Sequence, residues 1–238
     1  MKRAVKVLIE DARTRMSSYL GMYVYRLMNL CIKAEPMALL SVTVQTENGE
    51  ENLEKVANVY RPDDFHFYIV PNDPEEIAKV GKAVLLQHPE FSQEVKTAEN
   101  TDDDGNKEEV EYLYVSMPEV NKDRYNVLTD GVKILSDEVK IKLEETYNLF
   151  KVRIEAKLAG AGKEEREEAE KSLKDLQEMA ESKMGEYQKK KLSDIDEAYQ
   201  NYLSKEEEKK KEKEKEDKTN SKRAGMSMRM FGQDEDDE

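Results

Sequence analysis

Apolar residues recur at every third or fourth position near the start of the chain. Such spacing places side chains on one face of a 3.6-residue helical period and therefore predicts a helix over residues 4–32. Most of the basic residues in this stretch lie off the apolar face. The predicted stripe consists of Val5, Leu8, Ala12, Met16, Tyr19, Tyr23, Leu27 and Leu30.

The same period returns after Pro118 and continues to about residue 203, in two stripes. An Ala-Gly-Ala-Gly segment at 159–162 separates them, and glycine is suited to ending a helix. Two long helices joined by a short connection pack antiparallel. With the first helix they predict a three-helix bundle, in which the Met and Tyr residues of the stripes belong to the core. The two stripes are Leu128, Val132, Leu135, Val139, Leu143, Thr146 and Phe150, then Leu173, Leu176, Ala180, Met184, Tyr187, Ile195, Ala198 and Tyr202.

Between the helical regions the pattern changes to short β-like runs, bounded by Pro36 and Pro118. Proline disfavours helix in the residue before it, and alternating β-branched and aromatic residues indicate strands. A helix beginning at Pro74 carries an apolar face. We therefore predict one small α+β domain over 33–118, inserted into a bundle formed by 1–32 and 119–203. The expected strands are 40–44, 56–60, 65–70 and 112–115.

Charge is unevenly distributed along the chain, whose formal net charge is −14 with 39% charged residues. The inserted region is strongly acidic, and we interpret 94–111 as an exposed acidic loop. It matches no calcium-binding loop spacing. The tail, 204–238, alternates Lys and Glu blocks before an acidic end. Lys205 to Lys218 could extend the last helix through pairs of opposite charge, and we expect disorder beyond Thr219.

Few residues are available for catalysis or metal binding. Cys31 is the single cysteine, and we take this to exclude both an intrachain disulfide and a cysteine-ligated zinc site. Cys31 is expected to be buried, and alternation with its Phe neighbours predicts that His66 is exposed. His88 follows the short helix. No phosphate-binding loop or catalytic set is evident, so we expect no enzyme activity, no cofactor and no metal. Without an apolar span or secretory signal, we expect an intracellular protein with no membrane insertion.

The order of these elements, and several short motifs, resemble the ribosome recycling factor family. DARTRM at 11–16 resembles the family's D-A-x-x-R-M opening, and PMALL at 36–40 its P-S-L-L entry to the second domain. LEKVANV at 53–59 and VSMP at 115–118, followed by KDR, resemble later motifs in the same order. IEAKL at 154–158 resembles the end of the second bundle helix. The resemblance covers about residues 5–203.

This resemblance implies an L-shaped α+β protein: a three-helix bundle with an inserted small β/α/β domain on a two-stranded hinge. The hinge would lie near Pro36 and Pro118. Members of the family bind the terminated ribosome between its subunits, contact large-subunit RNA through the bundle, and act with a translocase-type GTPase. The implied partners are therefore the ribosome, through its RNA and proteins, and that GTPase, with no DNA.

Several positions depart from the family's arginines. The hinge-end arginine position holds Cys31, with Lys33 as the nearest basic residue. On the second bundle helix Tyr125, Glu144 and Tyr147 stand where arginine is expected. Arginine binds phosphate through a planar fork that neither tyrosine nor glutamate supplies. The candidate ribosome-binding residues that remain are Lys33, Arg124, Lys133 and Lys140.

Two functional hypotheses follow from the match and its departures. One is a recycling factor acting in organellar translation, in the mitochondrial matrix or alternatively a plastid, where an acidic factor could bind basic ribosomal proteins. The other is a homologue that has lost recycling and serves as a structural or assembly subunit of a larger complex such as a mitochondrial ribosome. Loss of arginines favours the second, whereas retention of the hinge motifs favours the first.

Overall fold

The computed structural model describes residues 2–47, 49–101 and 107–230, with side chains omitted at 100–101, 107–108 and 216–230. Three long helices form the bundle: α1 (Arg3–Met28), α4 (Lys122–Lys157) and α5 (Lys163–Met230). The three-helix prediction is confirmed. α1 ends at Met28 instead of residue 32 because the chain turns there toward the inserted domain.

The bundle core contains the apolar faces of all three helices. Met16 and Tyr23 of α1, Leu143 of α4 and Leu173 and Ile195 of α5 are almost fully buried. Burial of each such side chain contributes roughly 1.5–3 kcal/mol relative to exposure. Met16, Tyr23 and Met184 of the predicted stripes are core residues, whereas Tyr19 and Tyr202 are half-buried and Tyr187 is exposed.

One buried hydrogen bond joins α1 to α4 within this core. The Tyr23 hydroxyl lies 2.7 Å from the Ser136 hydroxyl, which in turn donates to the Val132 carbonyl oxygen at 2.7 Å. Burial raises the pKa of Tyr23, and the Ser136 contact opposes that rise. Because Ser136 already uses its proton on Val132, the Tyr23 hydroxyl is the donor to Ser136.

The α4–α5 reversal occurs at the predicted glycine segment. Leu158 follows α4, and its carbonyl accepts a hydrogen bond from the Ala161 backbone N–H at 2.9 Å. Gly160 has φ +80°, a left-handed conformation that a side chain would disfavour. Five residues therefore suffice to turn the chain and set the two helices antiparallel.

The charged tail requires a correction. α5 continues as helix to Met230: the possible extension over Lys205 to Lys218 is present, whereas disorder was expected beyond Thr219. Lys and Glu alternate there at helical spacing, as in the 3.1 Å pair of Lys209 with Glu206, and such pairs stabilise helices that pack against nothing. Residues 231–238 lie outside the described part of the chain.

The inserted domain is built on a four-stranded antiparallel sheet. Its strands are β3 (Ala57–Tyr60), β4 (His66–Pro71), β5 (Ser92–Thr101) and β6 (Lys107–Ser116), in the order β3-β4-β6-β5. A separate hairpin and two short helices complete it. They are β1 (Thr43–Thr46), β2 (Gly49–Asn52), α2 (Leu53–Val56) and α3 (Ile77–Gln87), with 3₁₀ turns at Pro36–Leu39 and Pro74–Glu76.

The expectation of an acidic loop at 94–111 is wrong for its described residues. β5 and β6 pair over ten residues each, from Ser92 opposite Ser116 to Thr101 opposite Lys107. Backbone hydrogen bonding to β6 makes the polar segment a strand, although its side chains carry little apolar signal. The Asp-rich residues 102–106 lie outside the described residues.

A second core, separate from that of the bundle, fills the inserted domain. Phe67 and Ile69 of β4, Val80 and Val84 of α3, and Val115 of β6 are fully buried in it. The sheet therefore packs against α3 with one face.

His66 lies on the other face of the sheet, as the alternation predicts, but it is less exposed than expected. Only 28% of its side chain is accessible, because it stacks on Tyr114 at 4.8 Å and contacts Asp63 at 2.7 Å.

Replacing Tyr23 with Phe tests the buried contact between α1 and α4. Tyr23→Phe removes one hydrogen bond while keeping the ring, so we expect the free energy of unfolding to fall by about 1 kcal/mol. Urea unfolding followed by circular dichroism measures it. Tyr25→Phe, at an exposed ring of the same helix, is the matched control. Equal stability of the two variants would show that the Tyr23 hydroxyl contributes nothing.

Candidate functional site

The chain crosses between the bundle and the inserted domain twice, and both crossings attach to the same place. The Ala34 backbone N–H donates to the Asp64 carbonyl oxygen at 2.7 Å, and the Met117 N–H donates to the neighbouring Phe65 carbonyl at 2.8 Å. The two predicted hinge prolines, Pro36 and Pro118, lie just beyond these contacts and are both exposed. The crossings thus form one narrow, double-stranded junction.

A polar cluster lies inside this junction, where three segments distant in sequence meet: 31–38, 88–90 and the start of α4. The Cys31 Sγ is 3.9 Å from the His88 Nδ1, and the Glu90 Oε1 is 3.5 Å from the same nitrogen. His88 Nε2 lies 2.9 Å from the Ala38 carbonyl oxygen. Cys31 and His88 are 3% and 2% exposed, whereas the Glu90 side chain is 37% exposed.

Arg124, a predicted ribosome-binding residue, belongs to this cluster. It lies in the first turn of α4, which the Asn121 side chain caps by accepting from the Arg124 N–H. Its Nη2 donates to the Cys31 carbonyl oxygen at 2.8 Å, while its buried Nε and Nη1 have no partner among the described residues. The guanidinium is therefore turned into the junction rather than presented on the surface.

The charged groups of the cluster shift one another's pKa values. Burial alone would lower the pKa of His88, but hydrogen bonding and charge from Cys31 and Glu90, with the Ala38 carbonyl, raise it to about 10. Burial likewise lowers the pKa of Arg124, against the attraction of Glu90 and Cys31. The junction thus holds opposite charges within a largely water-excluded space.

Lys33 is exposed at the edge of the junction and lines a cleft of about 510 Å³ between the end of α1 and the middle of α5. Lys190 and Lys191 line the same cleft, together with acids that include Glu35 and Asp194. Burial lowers the pKa of Lys191. The sequence reasoning missed these two lysines, although the Lys189-Lys190-Lys191 run was a visible signal.

Lys133 and Lys140 lie seven residues apart on the outer face of α4, and both are exposed. Acids at the same seven-residue spacing accompany them: Asp130, Asp137 and Glu144 are all exposed as well. On a helix each lysine therefore has an acid three or four residues away on both sides. This face alternates in charge along its length and is not a continuous basic stripe.

The two tyrosines at expected arginine positions are used within the bundle. The Tyr125 hydroxyl donates to the Asp196 carboxylate at 2.7 Å, and its ring lies 4.8 Å from that of Tyr199. Tyr147 is half-buried and packs against the bundle core. These side chains hold α4 against its neighbours, so neither position offers a free group to a phosphate.

Known sequences and structures were compared with the chain. No protein-family model matches it, and no curated protein sequence matches it either. Within the part of the chain that the structure describes, no helix is both long and apolar enough to cross a membrane.

Two solved structures share the fold across both parts of the molecule. The solution structure of a ribosome recycling factor has a TM-score of 0.62 at 14% identity, covering 82% of this chain and 98% of that one. Models of the T. thermophilus ribosome recycling factor and the E. coli elongation factor G, bound to the E. coli post-termination complex, include a match with a TM-score of 0.50. That match has 19% identity and covers 80% of this chain and 98% of the other. The chain therefore has the ribosome recycling factor fold.

Proposed function

We propose that this protein is a ribosome-binding translation factor of the recycling type, acting without catalysing a reaction itself. The observation that carries the proposal is the coverage of 98% of the ribosome recycling factor chain, which spans the bundle, the inserted domain and both crossings. A relative that had kept only a bundle for scaffolding would not need the second domain on its narrow connection.

The partners we propose are the post-termination ribosome and a translocase-type GTPase, as in the complex that contains the T. thermophilus factor and elongation factor G. Two separate hydrophobic cores joined by two short segments allow the domains to change their relative orientation. A partner that pushes on one domain could thereby move the bundle, which is the mechanical step we assign to the GTPase.

We further propose that the binding surface has been adapted to an organellar ribosome, in the mitochondrial matrix or alternatively a plastid. The alternating charges of the outer α4 face, with Asp130, Asp137 and Glu144 among the lysines, suit a mixed RNA and protein surface better than RNA alone. Phosphate contacts require clustered cations, whereas acids interleaved with lysines complement basic ribosomal proteins.

The second candidate function is a structural or assembly subunit of a larger complex such as a mitochondrial ribosome. The observation that favours it is the use of former arginine positions for internal contacts. Tyr125 binds Asp196, and Arg124 itself is held by the Cys31 carbonyl. A subunit of this kind would stay bound through repeated rounds of translation, whereas a factor would associate only with terminated ribosomes.

Reversing the charge of Lys133 and Lys140 tests ribosome binding through the outer face of α4. Lys133→Glu with Lys140→Glu should weaken co-sedimentation with organellar ribosomes and reduce the slope of log affinity against log salt by about two, one per lost phosphate contact. The control, Lys171→Glu with Lys183→Glu, changes two exposed lysines of α5 by the same charge. Equal affinity and slope for both pairs would exclude an RNA contact at this face.

Reversing the charge of two acids on the same face distinguishes a protein partner from RNA. Asp137→Arg with Glu144→Arg leaves the core-packed Tyr147 intact and adds two exposed cations. We expect weaker binding to the native ribosome, because these cations would oppose a basic protein surface. Glu186→Arg, also exposed but on α5, is the control, and sedimentation at several salt concentrations measures the effect. Tighter binding would instead show that the face meets RNA.

A further inference from the structure

The junction cluster has the composition of a metal site. Cys31, His88 and Glu90 offer one sulfur, one nitrogen and one oxygen ligand atom, all within 4.8 Å of one another. Zinc binds this combination of thiolate, imidazole and carboxylate, commonly with four ligands in a tetrahedron. The three residues come from two segments: Cys31 lies in the turn after α1, and His88 and Glu90 lie in the turn between α3 and β5.

The separations are close to those that a tetrahedral zinc ion requires. With bonds of about 2.3 Å to sulfur and about 2.0–2.2 Å to nitrogen and oxygen, neighbouring ligand atoms lie about 3.4–3.6 Å apart. The observed Nδ1 to Sγ distance is 3.9 Å and the Nδ1 to Glu90 Oε1 distance is 3.5 Å. All three ligand atoms lie within 4.8 Å of one another, so closing the distance between Sγ and the Glu90 oxygen to about 3.6 Å takes a movement of up to about 1.2 Å, which the partly exposed Glu90 carboxylate can make by a rotamer change.

The second nitrogen of His88 gives independent support. Metal-bound histidines usually donate their other ring N–H to a carbonyl or carboxylate, which selects the tautomer and fixes the ring. Here Nε2 lies 2.9 Å from the Ala38 carbonyl oxygen, and the ring stacks on Phe91 at 4.6 Å with planes 9° apart. The imidazole is thus held with Nδ1 directed at Cys31 and Glu90.

We propose that Cys31, His88 and Glu90 bind a zinc ion at the junction between the bundle and the inserted domain, with an open fourth position. Sulfur and nitrogen ligands favour zinc over magnesium or calcium, which prefer oxygen. Glu90 is the partly exposed ligand and marks the side from which an ion enters. The sequence argument against zinc considered cysteine-rich sets and missed this mixed one.

The positive charge of Arg124 limits the electrostatic contribution to zinc binding. Its guanidinium offsets one of the two anionic ligands, so affinity must come mainly from the short bonds to sulfur and nitrogen. A bound ion also has to displace a proton from Cys31 and, where present, from Nδ1. Because Cys31 lies in the first crossing segment and packs in the core of the inserted domain, the ion would fix that crossing to the turn after α3.

Cobalt(II) substitution of the full-length chain tests the proposal. We expect one cobalt ion per chain, with the near-ultraviolet charge-transfer band of a thiolate ligand, displaced by one equivalent of zinc but not by magnesium. Since Cys31 is the only cysteine of the chain, this band assigns the ligand in the unaltered protein, without any variant. Saturable cobalt binding without the band, or no binding at micromolar metal, would overturn the proposal.

Variants at each of the three proposed ligands test the site residue by residue. Cys31→Ser should abolish the band, and Cys31→Ser, His88→Gln and Glu90→Gln should each weaken zinc binding by more than the roughly 10- to 100-fold typical of an outer-shell change. His66→Gln alters the other histidine, which stacks on Tyr114 on the opposite face of the sheet, and serves as the control. Circular dichroism establishes that each variant is folded. Zinc affinity unchanged in Cys31→Ser would place the ion on surface carboxylates and contradict the proposed site.

Discussion

The double crossing between bundle and inserted domain is the constraint on which the rest of the structure depends. Two chain segments must leave the bundle at one place, pass each other and enter the sheet, and each has backbone groups that need hydrogen-bond partners. The adjacent carbonyls of Asp64 and Phe65 accept one bond from each crossing segment. This pairing keeps the two domains together at one end while their hydrophobic cores stay separate.

The crossing also explains the polar cluster beside it. Helix α1 ends at Met28, so its last carbonyls need partners beyond the helix; that of Leu27 accepts from the Leu30 N–H at 3.2 Å, and the Cys31 Sγ lies 3.4 Å from the Asn29 carbonyl oxygen. The Cys31 carbonyl, just beyond, receives the Arg124 guanidinium from the start of α4, and Glu90 lies close enough to attract that charge. A buried arginine requires such anionic and carbonyl neighbours. Buried polar groups need partners, and this need also brings Cys31, His88 and Glu90 together. The domain boundary and the candidate metal site therefore share one set of contacts.

The bundle could be predicted from sequence because its signal is local. Each helix repeats apolar residues over many turns, and the core positions Val5, Ala12 and Met16 were identified correctly from spacing alone. The glycine break at 159–162 was equally visible. The inserted domain was harder, since β2 and β5 are polar and become strands by pairing with β1 and β6, their partners in two hairpins. Residues beyond 218 were expected to be disordered, but they continue α5 to Met230. Low hydropathy is found in solvated helices as well as in disordered segments, so it could not distinguish the two.

The junction cluster lay beyond sequence reasoning altogether. Cys31 and His88 are 57 positions apart and Cys31 and Arg124 are 93 apart, and no spacing rule connects them. Resemblance to the recycling factor family assigned Arg124 to ribosome binding, yet its side chain faces inward. Position in a motif indicates where a backbone lies, whereas the partners of a side chain depend on neighbours from other elements.

The outer face of α4 shows how a fold can persist while its binding chemistry changes. The core face of this helix is constrained by packing against α1 and α5, so Leu128, Val132 and Leu143 must remain apolar. The exposed positions carry no such constraint, and there acids at seven-residue spacing accompany the lysines. An RNA surface would repel those carboxylates at every second turn of the helix, whereas a protein surface with basic side chains would pair with them. The helix therefore keeps its place in the ribosome recycling factor fold while its exposed face alternates in charge.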